Sequence, residues 1–191
     1  MLKNISIDLN ELIYIFYSGY SGNYEYDKLN NLLQALKEDA INLGRLPTGT
    51  VAKYNDYLEK IYANTIKTIN LNGARQNNGH FALKLIAADY LKSLNLKCKH
   101  EVKLQDRLAD AAAEDLSVII ECGCTDPGKI FNYLEKPSVK QVIILPYPEP
   151  DNDNLFFYSF SRGEYFNEYS EAMETIKFSK IKQIILNRKK S

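Results

Sequence analysis

The spacing of apolar residues changes once along this chain of 191 residues, near residue 97, and that change most restricts its fold. Before it, apolar residues recur every three or four positions, as on one face of a helix. After it, short alternating or β-branched segments predominate, which is typical of strands. The sequence therefore predicts an α/β protein in which a helical N-terminal subdomain precedes a mixed central sheet.

Four amphipathic helices are predicted in the first part of the chain. Their apolar positions fall within residues 9–20, 29–36, 51–65 and 83–94. Gly44 and Pro47 are predicted to end the second helix, because both residues interrupt helical structure. Residues 1–76 form the predicted helical subdomain, and the fourth helix opens the next unit.

Three strands, a helix and a further strand are predicted next. The strands are expected at residues 97–104, 108–113, 117–122 and 141–145, and a helix is expected to start at Thr125-Asp126-Pro127. Short links make the first three strands antiparallel, while the helix returns the chain for a parallel partner. This core spans residues 77–150, and residues 151–191 form a strand and helix extension with a basic tail.

Three carboxylates are predicted to line up across the first three of these strands. If tight two-residue turns join the strands, Asp110 lies opposite both Glu121 and Glu101, and all three side chains share one face. Like charges so close together are destabilising unless a cation joins them. Mg²⁺ and Mn²⁺ select carboxylate oxygens, so the pattern indicates a divalent metal site.

A solvated sheet face is the alternative interpretation of these acids. Their partners would then be the nearby cations Lys99, Lys103 and Arg107. Glu121 favours the metal, because it ends the buried strand segment 118–120, where an unpartnered charge is costly. We expect Mg²⁺ or Mn²⁺ at Asp110 and Glu121, with Glu101 assisting or binding a second ion.

The order of elements and two short motifs resemble the PD-(D/E)XK nuclease superfamily, which includes restriction endonucleases and archaeal Holliday junction resolvases. The motifs are Arg-Leu-Ala-Asp, ending at Asp110, and Val-Ile-Ile-Glu, ending at Glu121. The resemblance covers residues 77–147 and implies a restriction-endonuclease-like αβββαβ core. It also implies a DNA endonuclease in which the two acids bind the metal that hydrolysis requires. The family has a catalytic Lys two residues after the Glu, whereas this chain has Gly123.

The missing amine leaves two predictions open. Lys129 is the first replacement, because its stem can reach back from the crossover helix to the strand end, and Lys99 and Lys103 are the second. His80 lies where many nucleases of this type place an extra polar site residue, although helix capping or burial would also explain it. Without a replacement amine, the chain would be a catalytically degenerate module for nucleic-acid binding or assembly.

Two other kinds of site have weaker patterns. Cys98, His100, Cys122 and Cys124 are zinc-type ligands, but the predicted strands place Cys98 and Cys122 at opposite ends of the sheet. The segment 123–130 approaches a phosphate-binding loop, but Ile130 follows Lys129 where that loop has Ser or Thr. We therefore expect neither structural zinc nor a nucleotide cofactor.

Charge is unevenly distributed, although 24 basic and 24 acidic residues cancel. Basic and acidic residues number 10 and 9 in 1–96, 8 and 15 in 97–174, and 6 and 0 in 175–191. The basic tail is either a solubilising end or a clamp for phosphates, which would make DNA the partner. The predicted nucleic-acid contacts are Lys99, Lys103, Lys182, Arg188, Lys189 and Lys190. A homodimer is a hypothesis by analogy with two-fold nucleases.

The remaining features concern location. The chain lacks the run of about 18 apolar residues that a membrane span requires, so we expect no membrane partner. Its first residues lack the apolar region of a secretion signal, and three cysteines indicate a reducing compartment. We expect a cytoplasmic protein, in the host cytoplasm if its source is viral. Heavy use of Lys, Ile, Asn and Tyr favours an archaeal or viral source.

Overall fold

A single mixed sheet organises the computed structural model, which describes residues 7–63, 77–104, 107–149 and 154–176. The helices are α1 (Leu9–Tyr17), α2 (Tyr26–Lys37), α3 (Val51–Tyr62), α4 (Asn78–Ser93), α5 (Lys129–Leu134) and α6 (166–176). The strands are β1 (Ile41–Thr50), β2 (Cys98–Leu104), β3 (Arg107–Ala113), β4 (Val118–Cys122), β5 (Gln141–Leu145) and β6 (Asn154–Arg162). Their order across the sheet is β1-β6-β5-β4-β3-β2.

The sheet is mixed because one neighbouring pair is parallel. β4 and β5 run in the same direction, joined by α5, and the other neighbouring strands are antiparallel. The elements from α4 to β5 follow the predicted order of helix, three strands, helix and strand. The prediction of an α/β fold with a mixed sheet is therefore confirmed.

The registers of β2, β3 and β4 also match the predicted tight connections. Leu104 pairs with Arg107, and Ala111 pairs with Ile120. The paired residues of β3 and β4 end at Ala111 and Ile120, and beyond them the Cys122 N–H donates to Asp110 Oδ2 at 2.8 Å, which places Asp110 beside the end of β4. Short connections restrict how antiparallel strands can pair, so the sequence was sufficient to predict the two registers.

Two buried clusters cover opposite faces of the sheet, since alternate residues of a strand point to opposite sides. Ile119 and Ile144 belong to the cluster that includes α1, α2 and α5. Ile120 and Ile143 belong to the cluster that includes α4, with partly buried residues of α3 against it. Residue 121 therefore lies on the α5 face, and residues from α4 reach the strand ends from the other face.

β1 differs from the prediction that residues 1–76 are entirely helical. It pairs antiparallel with β6 at the edge of the sheet, and its register shifts between Pro47 and Gly49. An edge strand tolerates glycine, proline and a bulge because one side needs no ladder hydrogen bonds. α2 ends at Lys37, and Gly44 and Pro47, which were predicted to end it, lie within β1 instead.

The predicted C-terminal extension contains β6 and α6, in the predicted order of strand and helix. The predicted tail contacts Lys182, Arg188, Lys189 and Lys190 lie outside the described residues. Among the helices that the structure describes, none has both the length and the apolar character needed to cross a membrane.

Candidate active site

The predicted acids lie where several elements end at one edge of the sheet. Because β4 and β5 are parallel, their carboxyl ends meet there, and the Gly123 N–H donates to the Leu145 carbonyl at 2.7 Å. The end of α1 reaches the same edge, where the Thr125 N–H donates to the Phe16 carbonyl at 2.9 Å. The strand ends of an open α/β sheet are its usual binding position.

Glu121 is 2% exposed and is held from the α5 face. Lys129 Nζ lies 2.7 Å from its Oε2, and the Tyr133 hydroxyl donates to its Oε1 at 2.7 Å. Thr125 Oγ1 donates to Oε2 at 3.3 Å. Burial raises the pKa of Glu121. Lys129 opposes this and the charge of Asp110 adds to it, so the pKa stays above its ordinary value.

Asp110 has the opposite shift, because its partners come mainly from α4. His80 Nε2 and Lys84 Nζ lie 3.0 and 3.3 Å from its Oδ1, and the Cys122 N–H donates to its Oδ2 at 2.8 Å. Burial by itself would raise the pKa of Asp110. The partners His80, Cys122 and Lys84 outweigh burial and lower the pKa.

The opposite pKa shifts distinguish the carboxyls of Asp110 and Glu121 chemically. The ionised form is favoured at Asp110 and disfavoured at Glu121, although the two residues occupy neighbouring strands. Two interacting carboxyls with divergent pKa values are typical of acid–base or metal sites, and buried structural ion pairs can also produce them. The geometry can therefore support either phosphodiester chemistry or a closed network of ion pairs.

The backbone at Glu101 departs from the regular strand that the prediction of three carboxylates on one face assumes. The β2–β3 ladder passes from His100–Ala111 to Val102–Ala109, and Glu101 itself has a φ of 54°. This left-handed residue interrupts the strand alternation. Glu101 forms an ion pair with Lys84 of α4, whereas Glu121 is bound by α5. Asp110 also binds Lys84, so α4 holds Glu101 and Asp110 while α5 holds Glu121.

Lys84 is a site residue that the predictions lack. It is 2% exposed and lies between the carboxylates of Glu101 and Asp110. Four residues after His80, it occupies the same helical face one turn later. The sequence does contain a signal, because Lys84 is the lone charge in the apolar run 81–88. An unpartnered charge is as costly at this buried lysine as it is at Glu121, so the sequence also predicts a partner for Lys84.

The structure separates the predicted basic residues into two groups. Lys129 and His80 contact Glu121 and Asp110, so both lie at the predicted site. Lys99 is instead exposed beside Glu114, with Nζ 3.3 Å from Oε1, and Lys103 is exposed on β2. The catalytic roles of Lys129 and His80 stay predictions, as do the nucleic-acid contacts of Lys99 and Lys103.

Gly123 has a structural reason to differ from the lysine of the nuclease motif. Its φ is 70°, and a Cβ placed there would lie 2.6 Å from Tyr147 Cε2. The left-handed backbone and the adjacent ring both disfavour a side chain at this position. Tyr147 therefore occupies the space into which a side chain at residue 123 would extend.

The donor chemistry at Asp110 and Glu121 fits a hard divalent cation such as Mg²⁺ or Mn²⁺. All four carboxylate oxygens are also held by protein donors. Across the described ranges, no three His, Cys, Asp or Glu side chains are grouped to hold a metal ion. Of the zinc-type residues, Cys98 Sγ lies 3.8 Å from His100 Nε2, and Cys122 is buried in the α4-side core.

Comparison of the chain with protein-family models, curated proteins and solved structures finds no significant match.

Proposed function

We propose that this chain is a metal-dependent DNA endonuclease with a restriction-endonuclease-like core. The observation that carries the proposal is the proximity of two acids on neighbouring strands, Asp110 and Glu121, whose pKa values shift in opposite directions. The order from α4 to β5, the acidic motifs and the basic tail support the same function. The hydrogen bond from the Cys122 N–H to Asp110 Oδ2 supports this proximity, because Cys122 directly follows Glu121.

The residues have distinct roles in the proposed site. Asp110 and Glu121 would hold Mg²⁺ or Mn²⁺, which supplies Lewis-acid polarisation of the phosphodiester and activation of water. His80 orients Asp110 from the start of α4. Glu101 orients Lys84 through their buried ion pair, which is a more specific role than holding a second ion.

Lys129 is the proposed amine because it reaches the site and retains access to solvent. Its side chain is 18% exposed, and Nζ binds both Glu121 and the Leu108 carbonyl. When substrate phosphate is present, the ammonium group can shift toward it and stabilise its negative charge. Lys84 is more deeply buried between two carboxylates, which favours a positioning role.

A catalytically degenerate nucleic-acid-binding or assembly module is the second candidate. The saturation of all four oxygens of Asp110 and Glu121 by protein donors favours it. Lysines would then neutralise the acids permanently, and the fold would bind nucleic acid without cutting it. The two candidates make opposite predictions for cleavage and the same prediction for binding.

Cleavage and binding assays on conservative variants separate the candidates. The wild type is incubated with duplex, single-stranded, flap and junction DNA in Mg²⁺ or Mn²⁺, and binding is measured separately in Ca²⁺. We expect Glu121→Gln and Asp110→Asn to lower cleavage by roughly 100-fold or more while binding persists, because each removes a proposed metal ligand. Glu114→Gln is the matched control, since Glu114 is exposed beside Lys99.

The outcomes identify which candidate is correct. Binding by the wild type without cleavage of any substrate would favour the degenerate module over the nuclease. Cleavage that is unchanged in both acid variants would reject this site as the catalytic centre. Absence of both binding and cleavage would reject both candidates.

A further inference from the structure

The main chain of Tyr147 is fixed by residues of α1 and the residue that follows it. The Tyr147 N–H donates to Ser18 Oγ at 2.8 Å, and the Tyr14 hydroxyl donates to the Tyr147 carbonyl at 3.1 Å. Tyr147 lies two residues beyond β5, at the edge of the sheet that carries the acids. Its side chain therefore leaves a backbone that is held from both sides.

The Tyr147 ring lies in a slot formed by three glycines from separate parts of the chain. The Cβ positions of Gly19, Gly79 and Gly123 would lie 3.0, 3.4 and 2.6 Å from its ring carbons. These residues follow α1, open α4 and follow β4, respectively. Side chains at the three positions would crowd the ring, so the slot fixes where the hydroxyl points.

The hydroxyl of Tyr147 retains an unused donor. Asn77 Nδ2 donates to its oxygen at a long 3.5 Å, and within the described residues its O–H hydrogen donates to no group. Burial raises the pKa of the half-buried Tyr147 phenol, so the hydroxyl keeps its proton at neutral pH. A phenol has one proton to donate, so this hydroxyl can bind an acceptor that enters the site.

This donor lies beside the proposed catalytic residues. The Tyr147 hydroxyl oxygen is 3.1 Å from the position of a Cβ at Gly123, two residues after Glu121. Asn77 also caps α4 by accepting the His80 N–H at 2.7 Å, and the His80 ring contacts Asp110. A phosphate bound at the acids would offer an acceptor to this hydroxyl.

We propose that the Tyr147 hydroxyl donates a hydrogen bond to a non-bridging oxygen of the substrate phosphate, and so positions it against Asp110 and Glu121. The inference rests on the proposed function, since it assigns a phosphate contact at the same site. Tyr147 is neutral, so its contribution is a directional hydrogen bond and not long-range attraction of DNA.

The test compares Tyr147→Phe with the wild type, because phenylalanine keeps the ring and removes only the hydroxyl. Tyr90→Phe is the matched control, since Tyr90 is a partly buried tyrosine that packs on Phe157 toward the other end of α4. Affinity for single-stranded and duplex oligonucleotides is measured in Ca²⁺ over a salt series. Cleavage in Mg²⁺ and thermal melting are measured in parallel.

For Tyr147→Phe we expect affinity about 10-fold lower and kcat/KM lower by at least that factor, as for loss of a hydrogen bond to a charged group. The salt dependence of binding should not change, because no charge is removed. Tyr90→Phe should bind and cleave like the wild type, and the melting temperatures should agree.

Equal binding and cleavage by wild type and Tyr147→Phe would overturn the inference. So would a marked fall in melting temperature or a changed salt slope, since either would assign the hydroxyl a structural role. A wild type that binds but does not cleave refutes the nuclease alone, and the binding comparison then decides the role of Tyr147. A wild type that does neither refutes both.

Discussion

Asp110 and Glu121 lie on neighbouring strands, yet their surroundings shift the pKa values of the same chemical group in opposite directions. Asp110 accepts from His80, Lys84 and a backbone N–H, which together outweigh the effect of burial on its pKa. Glu121 is more deeply buried, and its pKa rises despite Lys129 and Tyr133. At residue scale, the site therefore combines one carboxyl whose pKa is lowered with a second whose pKa is raised.

Asp126, just beyond this pair, gives a prediction about pH. It accepts from the Gly128 N–H and from Lys28 at 2.8 and 3.0 Å, and Arg107 lies 3.3 Å away. Burial opposes these partners, but their sum lowers the pKa of Asp126 below its ordinary value of 3.8. The unfolded state then binds more protons near that pH, so this stabilisation is present above pH 3.8 and is lost as pH falls through the folded pKa.

We therefore expect Asp126→Asn to lower the free energy of unfolding by about 1–3 kcal/mol near neutral pH, because it removes charge-assisted hydrogen bonds. The difference from the wild type should shrink as the pH falls below 3.8. Urea unfolding at a series of pH values measures it. Asp56→Asn, in an exposed pair with Lys60, is the control and should change little. A difference that stays constant down to the lowest pH would refute the assigned pKa direction.

At the scale of elements, α4 brings two basic residues to Asp110 from one face of the sheet. His80 and Lys84 are one turn apart, and the Asn77 cap sets where the helix begins. α5 approaches from the other face with Lys129 and Tyr133. The two helices therefore enclose the acids between opposite sides of the sheet.

Replacing Lys84 with Met tests the contribution of α4. The change leaves Glu101 and Asp110 without their buried cation, so we expect a loss of about 3–5 kcal/mol in the free energy of unfolding. Lys92→Met is the control, because Lys92 is exposed in the last turn of the same helix. Adding Glu101→Gln should restore part of the loss by removing one stranded charge. A Lys84→Met protein as stable as the control would show that the buried pair does not hold the site together.

Much of this arrangement follows from local sequence. Tight connections are sufficient to set the registers of the strands that carry Asp110 and Glu121, and a crossover helix is sufficient to make β4 and β5 parallel. The left-handed backbone of Glu101 could not be predicted, because an alternating pattern assumes extended residues throughout. Tyr147 could not be predicted, since its slot joins three glycines that are distant in sequence. β1 was not predicted, because the glycine and proline that it contains usually interrupt strands and are tolerated mainly at a sheet edge.

At the scale of the whole molecule, the uneven charge along the sequence is partly cancelled in space. The acidic stretch 97–174 holds Glu101, Asp110 and Asp126, while their cationic partners Lys84 and Lys28 belong to the first 96 residues. Folding therefore brings neutralising groups to the acids from an earlier part of the chain. A divalent cation must compete with these groups, which makes direct metal binding the central question.

The most direct measurement is a crystal structure of the protein soaked in Mn²⁺, with anomalous scattering collected to locate the ion. We expect an anomalous peak between the carboxylates of Asp110 and Glu121, with Lys129 displaced from Glu121 toward solvent. The Glu121→Gln protein, treated identically, should lack the peak. The soak uses Mn²⁺ concentrations at which known nucleases cleave DNA. The proposed metal site would be contradicted if the ion pairs of Lys84 and Lys129 stayed intact and no peak lay at the acids.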